Sequence, residues 1–133
     1  MNVGIIGNNL TSLTLANALV NNKVGVTLFS KSKTASVKTN RCIGITVKNS
    51  AFFESEISKI DKKYIMPINE IGIFFEKDPT KEKLNFKKKG TNLLHTIKID
   101  YLIKHLKSKI KKNKLFVEKR INKKIGYEKI LKN

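Results

Sequence analysis

Two apolar β-rich runs with a helix-length apolar stretch between them fill the first thirty residues, and this pattern restricts the fold more than anything after it. Val3, Ile5 and Ile6 form a run that stops at Gly7, and Val24, Val26, Leu28 and Phe29 form a second of similar length. Continuous apolar runs suit buried parallel strands better than half-exposed antiparallel ones. Between them Leu10, Leu13, Leu15, Ala16, Ala18, Leu19 and Val20 fit a helix of about three turns, with Asn21 and Asn22 as its left-handed exit. Lys23 is the only charged residue from Met1 to Ser30, so the stretch reads as core. Strand, helix and parallel strand in this order imply a right-handed βαβ crossover and an α/β fold with a parallel sheet.

After a polar connector from Ser30 to Asn40, apolar Phe52, Phe53, Ile57 and Ile60 predict a helix within 50–60. Ile71, Ile73 and Phe75 alternate with Gly72 and Phe74 as a strand. Asp78 and Pro79 mark a turn and Leu84 with Phe86 the return, so a small β-hairpin insertion is expected. Asp100 precedes Leu102, Ile103, Leu106 and Ile110, the apolar stripe of a further helix. Lys107, Lys109, Lys111 and Lys112 form its solvated face and last turns, where cations suit the helix dipole. Leu115, Phe116 and Val117 predict another strand, and Tyr127 to Leu131, after Gly126, a last one. A chain of 133 residues has room for one domain or part of one, not for separate nucleotide and substrate domains.

The formal charge of +18 invites a polyanion partner, and ten basic residues face the single acid Glu118 between Lys104 and Lys124. Yet Arg41 and Arg120 are the only arginines, and bidentate recognition of bases and phosphates favours Arg. Lysine rises here together with Ile and Asn, a compositional bias rather than a surface selected for nucleic acid. The lone Cys42 excludes an intrachain disulfide and reads as a small core residue. No secretory leader is recognisable and no run nears the roughly 18 apolar residues of a membrane span, so a cytoplasmic chain with at most peripheral membrane association is expected. His95 and His105 lack acids or Cys at ligand spacing, so no metal is expected, and His105 reads as solvated.

Chemistry concentrates at the end of the first run. A strand ending at Gly7, a turn through Asn8 and Asn9 and a helix starting near Leu10 would aim unpaired N–H groups at a pyrophosphate. In the G-x-G-x-x-G fingerprint of Rossmann-like FAD/NAD(P)-binding units the three glycines serve the tight turn, the approach of phosphate and close helix–strand packing. Those positions here are Gly7, Asn9 and Ser12. The acid expected about 20 residues further on, which holds the adenosine ribose, is replaced by Ser30, followed by Lys31. A serine hydroxyl offers one hydrogen bond where a carboxylate offers two charged oxygens, which predicts weaker adenosine binding.

Val3-Gly4-Ile5-Ile6-Gly7, Leu13-Thr14-Leu15-Ala16 and Val26-Thr27-Leu28-Phe29 together resemble the start of FAD-dependent monooxygenases. Asn40-Arg41-Cys42-Ile43-Gly44-Ile45-Thr46 is similar to the Arg-x-x-x-Leu-Ser segment of the ubiquinone-biosynthesis aromatic hydroxylases and their para-hydroxybenzoate hydroxylase relatives. The resemblance implies that Arg41 contacts the flavin, that 68–98 belongs to the substrate region, and that Lys98, in Leu93-Leu94-His95-Thr96-Ile97-Lys98, stands where the family places a cofactor-touching Gln, Glu or Asn. It further implies FAD as cofactor, NAD(P)H as reductant, an aromatic small molecule as substrate, and no catalytic acid or base within this chain. The family's later Asp-Gly and Gly-Asp motifs do not occur, since Asp61, Asp78 and Asp100 are followed by Lys, Pro and Tyr. The expectation is one partial FAD-binding domain over 1–133, incomplete relative to the family. Within it 1–30 is the nucleotide-binding βαβ unit and 99–133 the returning helix and strands.

Two rivals predict different behaviour. A small basic module binding nucleic acid or acidic lipid through Lys104 to Lys124 would be held on a polyanion matrix in a salt-sensitive way, and a non-functional remnant would bind nothing.

Overall fold

In chain order the elements are β1 (Asn2–Ile6), α1 (Leu10–Asn21), β2 (Gly25–Ser30), β3 (Cys42–Thr46), α2 (Val47–Glu56), a single 3-10 turn (Lys62–Tyr64), β4 (Met66–Ile68), β5 (Glu70–Phe75), β6 (Asp78–Lys87), β7 (Leu94–Lys98), α3 (Ile99–Ile110) and β8 (Phe116–Arg120). The computed structural model describes residues 1–31, 40–87 and 89–121. The chain divides into two units, one drawn from Met1–Thr39 and Asp100–Asn133, the other from Asn40–Ile99.

The first unit is the α/β fold expected from the apolar runs. Its sheet is parallel, in the order β1-β2-β8, with Ile5 aligned on Leu28 and Ser30 on Arg120. Val26, Leu28 and Ser30 alternate inward along β2 and are buried, as are Leu13, Ala16 and Val20 of α1 and Leu102, Leu106 and Ile110 of α3. A polar group ties the two helices: buried Asn17 donates from Nδ2 to the Leu13 carbonyl at 2.8 Å and to the Leu106 carbonyl at 3.3 Å. Leu15, expected inside, is 49% exposed. The left-handed residue after α1 is Lys23 (φ 61°), not Asn21 or Asn22. Asn22 keeps ordinary angles because its side chain and backbone N–H both donate to the Ala18 carbonyl, at 2.9 and 3.2 Å, closing the helix one residue earlier.

The second unit holds an antiparallel sheet, order β3-β7-β4, and the β5–β6 hairpin. Helix α2 begins earlier than the Phe and Ile spacing predicts, because Thr46 caps it by accepting from the Asn49 N–H at 3.2 Å, and it ends at Glu56, short of Ile57 and Ile60. Phe53 is buried inside it, Ile57 and Ile60 are buried beyond it, and Phe52 is 61% exposed. The hairpin turns at Glu76 and Lys77, so Asp78 and Pro79 open the returning strand instead of forming the turn. Cys42 is exposed on β3, against the expected core position. His105 is half-buried and stacks on Tyr101 with ring centroids 5.8 Å apart, so it is not a freely solvated residue. Lys107 likewise departs from a solvated face: burial pushes its ammonium pKa down, opposed by the charge of Glu118. The strand expected over 127–131 lies outside the described residues.

The hairpin is closed by charge as well as by its ladder. Glu70 accepts from Lys87 Nζ and from Asn85 Nδ2, each at 2.7 Å, and these bonds, Lys87 first, hold its carboxyl below the ordinary 4.5. A depressed carboxylate stabilises the fold fully above its ordinary value and ceases to do so as pH falls through the lowered one. Hairpin amide chemical shifts followed by NMR from about pH 6 to about pH 3 should therefore move toward unfolded values. Glu70→Gln should flatten that response to what Asp78, lowered by Thr80, still contributes; an unchanged curve would remove Glu70 as a clamp.

Candidate functional site

The turn after β1 forms because Gly7 adopts φ +115°, a conformation that side-chain-bearing residues avoid, while its N–H donates to the Phe29 carbonyl at 2.8 Å. A Cβ there would also meet Ser12 Oγ at 3.2 Å. The chain thus leaves the carboxyl end of a parallel strand and enters α1 directly. Asn9 is the N-cap: its backbone is extended (φ −78°, ψ 179°) and its Oδ1 accepts from the Ser12 N–H at 2.9 Å. The second fingerprint position therefore needs no glycine for its backbone, and the Asn9 side chain folds back on the helix. Leu13 N–H makes the first intrahelical bond, to the Asn9 carbonyl at 3.0 Å. The N–H groups of Leu10 and Thr11 have no partner within the helix. No acid stands in the first turn, so the positive end of the dipole is uncompensated there.

Ser30 ends β2, hydrogen-bonded through its backbone to that same end of the sheet: its carbonyl accepts from the Ile121 N–H at 2.9 Å. Its side chain is 2% exposed, and Oγ has no hydrogen-bond partner among the described residues. Exposed Lys31 follows. Gly7, Asn8, Asn9, Leu10 and Ser12 thus share one turn, and Ser30 and Lys31 lie at the end of the adjacent strand. Arg41 and Lys98 belong to the other unit and share one end of its sheet: Cys42 aligns with Lys98, and the Ile99 N–H donates to the Arg41 carbonyl at 3.1 Å.

Sequence reasoning passed over two groupings. Arg120 aligns with Ser30 across β2 and β8, a neighbourhood invisible in a chain where the two stand ninety positions apart. His95 lies within hydrogen-bond distance of Ser50 Oγ (Nδ1, 3.0 Å) and Asn92 Nδ2 (Nε2, 3.4 Å), which satisfies a part-buried imidazole and ties α2 to β7. Among the described residues no group of three or more His, Cys, Asp or Glu gathers to hold a metal ion, and no helix is long and apolar enough to cross a membrane.

No protein-family model matches the sequence, and no curated protein does. Solved structures do match in fold. A geranylgeranyl bacteriochlorophyll reductase-like protein from Thermoplasma acidophilum is 15% identical with a TM-score of 0.63, over 90% of this chain and 29% of its own. For p-nitrophenol 4-monooxygenase PnpA from Pseudomonas putida the values are 9% and 0.70, over 90% and 32%. The flavin-dependent monooxygenase PieE, solved with FAD and substrate, gives 15% and 0.66, over 90% and 24%. The chain thus spans about a third or less of the length of these structures, and what it shares with them is the fold.

Proposed function

We propose that this chain binds the ADP part of a dinucleotide at the turn from Gly7 to Ser12 and forms the FAD-binding portion of a flavin-dependent monooxygenase that hydroxylates an aromatic ring, in ubiquinone biosynthesis. One observation carries the reading: a glycine in a positive-φ turn at the carboxyl end of a parallel strand opens directly into a helix whose first N–H groups face no acid. Structures of the same fold include a monooxygenase solved with FAD, which supports flavin as the dinucleotide. The residues present fit an ADP group, since the turn supplies donors for its diphosphate and the unpartnered Ser30 hydroxyl stands at the end of the next strand. FAD, reduced by NAD(P)H, would supply the redox chemistry, as cofactors do in such enzymes. The residues of this chain would bind and orient: Leu10 and Thr11 through backbone donors, Asn8, Asn9 and Ser12 by shaping the turn, and Ser30 and Lys31 at the ribose. None of them is assigned a proton transfer.

The test exploits the geometry of Asn9. Its extended backbone is the one a following proline requires, and proline is tolerated at the first helical position, so Leu10→Pro should delete one phosphate-facing N–H while keeping the helix. The expected result is a melting temperature within about 5 °C of the parent and ADP or FAD affinity lower by about tenfold or more, measured by calorimetry and flavin fluorescence. Unchanged affinity in a folded Leu10→Pro variant, or no binding of either nucleotide to the parent chain, would overturn the site.

A further inference from the structure

We propose that the first unit binds a small hydroxycarboxylate anion in the cleft between the last turns of α1 and α3. The cleft has a volume of about 160 Å³ and is lined by Asn17 and Val20 of α1 and, from the end of α3 and the turn after it, by Lys109, Ile110, Lys112 and Asn113. All of these residues belong to the first unit. Val20 lies about 15 Å along α1 from Leu10, at about 1.5 Å of rise per residue, so the cleft owes nothing to the nucleotide reading. One polar atom at the cleft is unclaimed. Asn17 is 2% exposed, and its Nδ2 donates to two carbonyls, those of Leu13 and Leu106. Two acceptor partners fix which amide atom is the nitrogen. Oδ1 is the atom left over, and it accepts from no donor among the described residues. It is not sealed off, however, and the space that Asn17 borders is the cleft. A buried amide oxygen without a donor is costly, and the cleft is the side from which a donor can come.

Water alone would satisfy that oxygen, but the rest of the lining selects for more than water. Lys109 and Lys112 are exposed at the cleft, no acid lines it, and Lys112 makes no ion pair among the described residues. Asn113 Oδ1 accepts from the Leu115 N–H at 2.9 Å, which leaves its Nδ2 as a further donor. Val20 and Ile110, both buried, give the cleft apolar walls. Acceptor on one side, cations and an amide donor on the other, and apolar surface between them complement a molecule with a donor at one end, a carboxylate at the other and a few carbons joining them. The donor has to be neutral, because an ammonium group beside two lysines would be repelled. A hydroxyl group meets that condition, and its O–H can donate to Asn17 Oδ1 while the carboxylate faces Lys112 and Asn113.

A charge-matched pair of ligands separates this site from general attraction to a basic protein. The side-chain amide signals of Asn17, followed by NMR as lactate is added to the full chain at fixed ionic strength, should shift to saturation. The dissociation constant should be on the order of millimolar, in keeping with a ligand of so few atoms. Propionate has the same charge and lacks the hydroxyl, and it should bind about fivefold or more weakly, the scale of one neutral hydrogen bond. Lys112→Gln should weaken both anions by about threefold. Lys114→Gln removes the same charge from an exposed lysine outside the cleft and should leave both affinities unchanged. Equal affinity for lactate and propionate, matching effects of the two lysine variants, or Asn17 shifts that never saturate would each overturn the site and leave a cleft that holds only water.

Discussion

Replacing Gly7 by valine should destabilise the first unit by about 1–3 kcal/mol from backbone strain alone and abolish nucleotide binding. The φ of +115° lies well outside the left-handed region that Asn or Asp can visit, so no side-chain-bearing residue adopts it without penalty. A branched side chain adds crowding, because even a lone Cβ would stand 3.2 Å from Ser12 Oγ, on the turn that the Asn9 cap holds in place. Gly90 provides the internal control. Its φ of +72° lies near the left-handed region and nothing stands within 4 Å of an added Cβ, so Gly90→Asn should be close to neutral. Urea unfolding of the two variants, with nucleotide titration of whatever remains folded, checks the contrast. A Gly7→Val protein with parental midpoint and parental ADP affinity would show that the turn is neither strained nor part of the site.

Leu106→Ala should cost about 2–5 kcal/mol, the range for emptying a fully enclosed leucine position. The side chain has no solvent exposure, and its own carbonyl receives the buried Asn17 amide, so a collapse around the cavity would pull on that bond as well. Against a total stability of about 5–15 kcal/mol for a single domain, this is a large share. Leu15→Ala, at a side chain half in solvent, should fall within about 0.5 kcal/mol of the parent. Denaturant midpoints at constant m-value would report both. Similar losses at the two positions would mean that the helix α1–α3 packing described above is wrong.

The βαβ start was legible because each of its signals is local. Val3, Ile5, Val26 and Leu28 sit in apolar runs, Gly7 stops one of them, and Asn9 precedes Leu10 as a capping residue should. Spacing likewise singled out Gly7, Asn9, Ser12 and Ser30 as one constellation, and the fold places them on one turn and the end of the neighbouring strand. What stayed hidden depended on partners distant in sequence. Nothing in Phe116 to Arg120 announces a strand that lies against β2, so Arg120 could not be seen beside Ser30. Phe52 and Leu15 carry apolar side chains at helical spacing, but a helix has more than one face, and composition does not tell which one a sheet will cover. Cys42 was misplaced for a similar reason: alternation along β3 puts Ile43 and Ile45 on one face and Cys42 on the other.

The first unit gathers its sheet from the two extremes of the described chain, with β8 docking on β2 across about ninety intervening residues. On a ribosome adding roughly 5–20 residues per second, β2 emerges several seconds before the strand that completes its ladder. During that interval Val26 and Leu28 stand without their eventual neighbours Phe116 and Glu118, and the Leu106 carbonyl that will receive Asn17 has not yet been made. Slow closure of long-range contacts is the rule for such topologies, so this unit should consolidate well after β2 has emerged, leaving an interval that chaperones have time to attend.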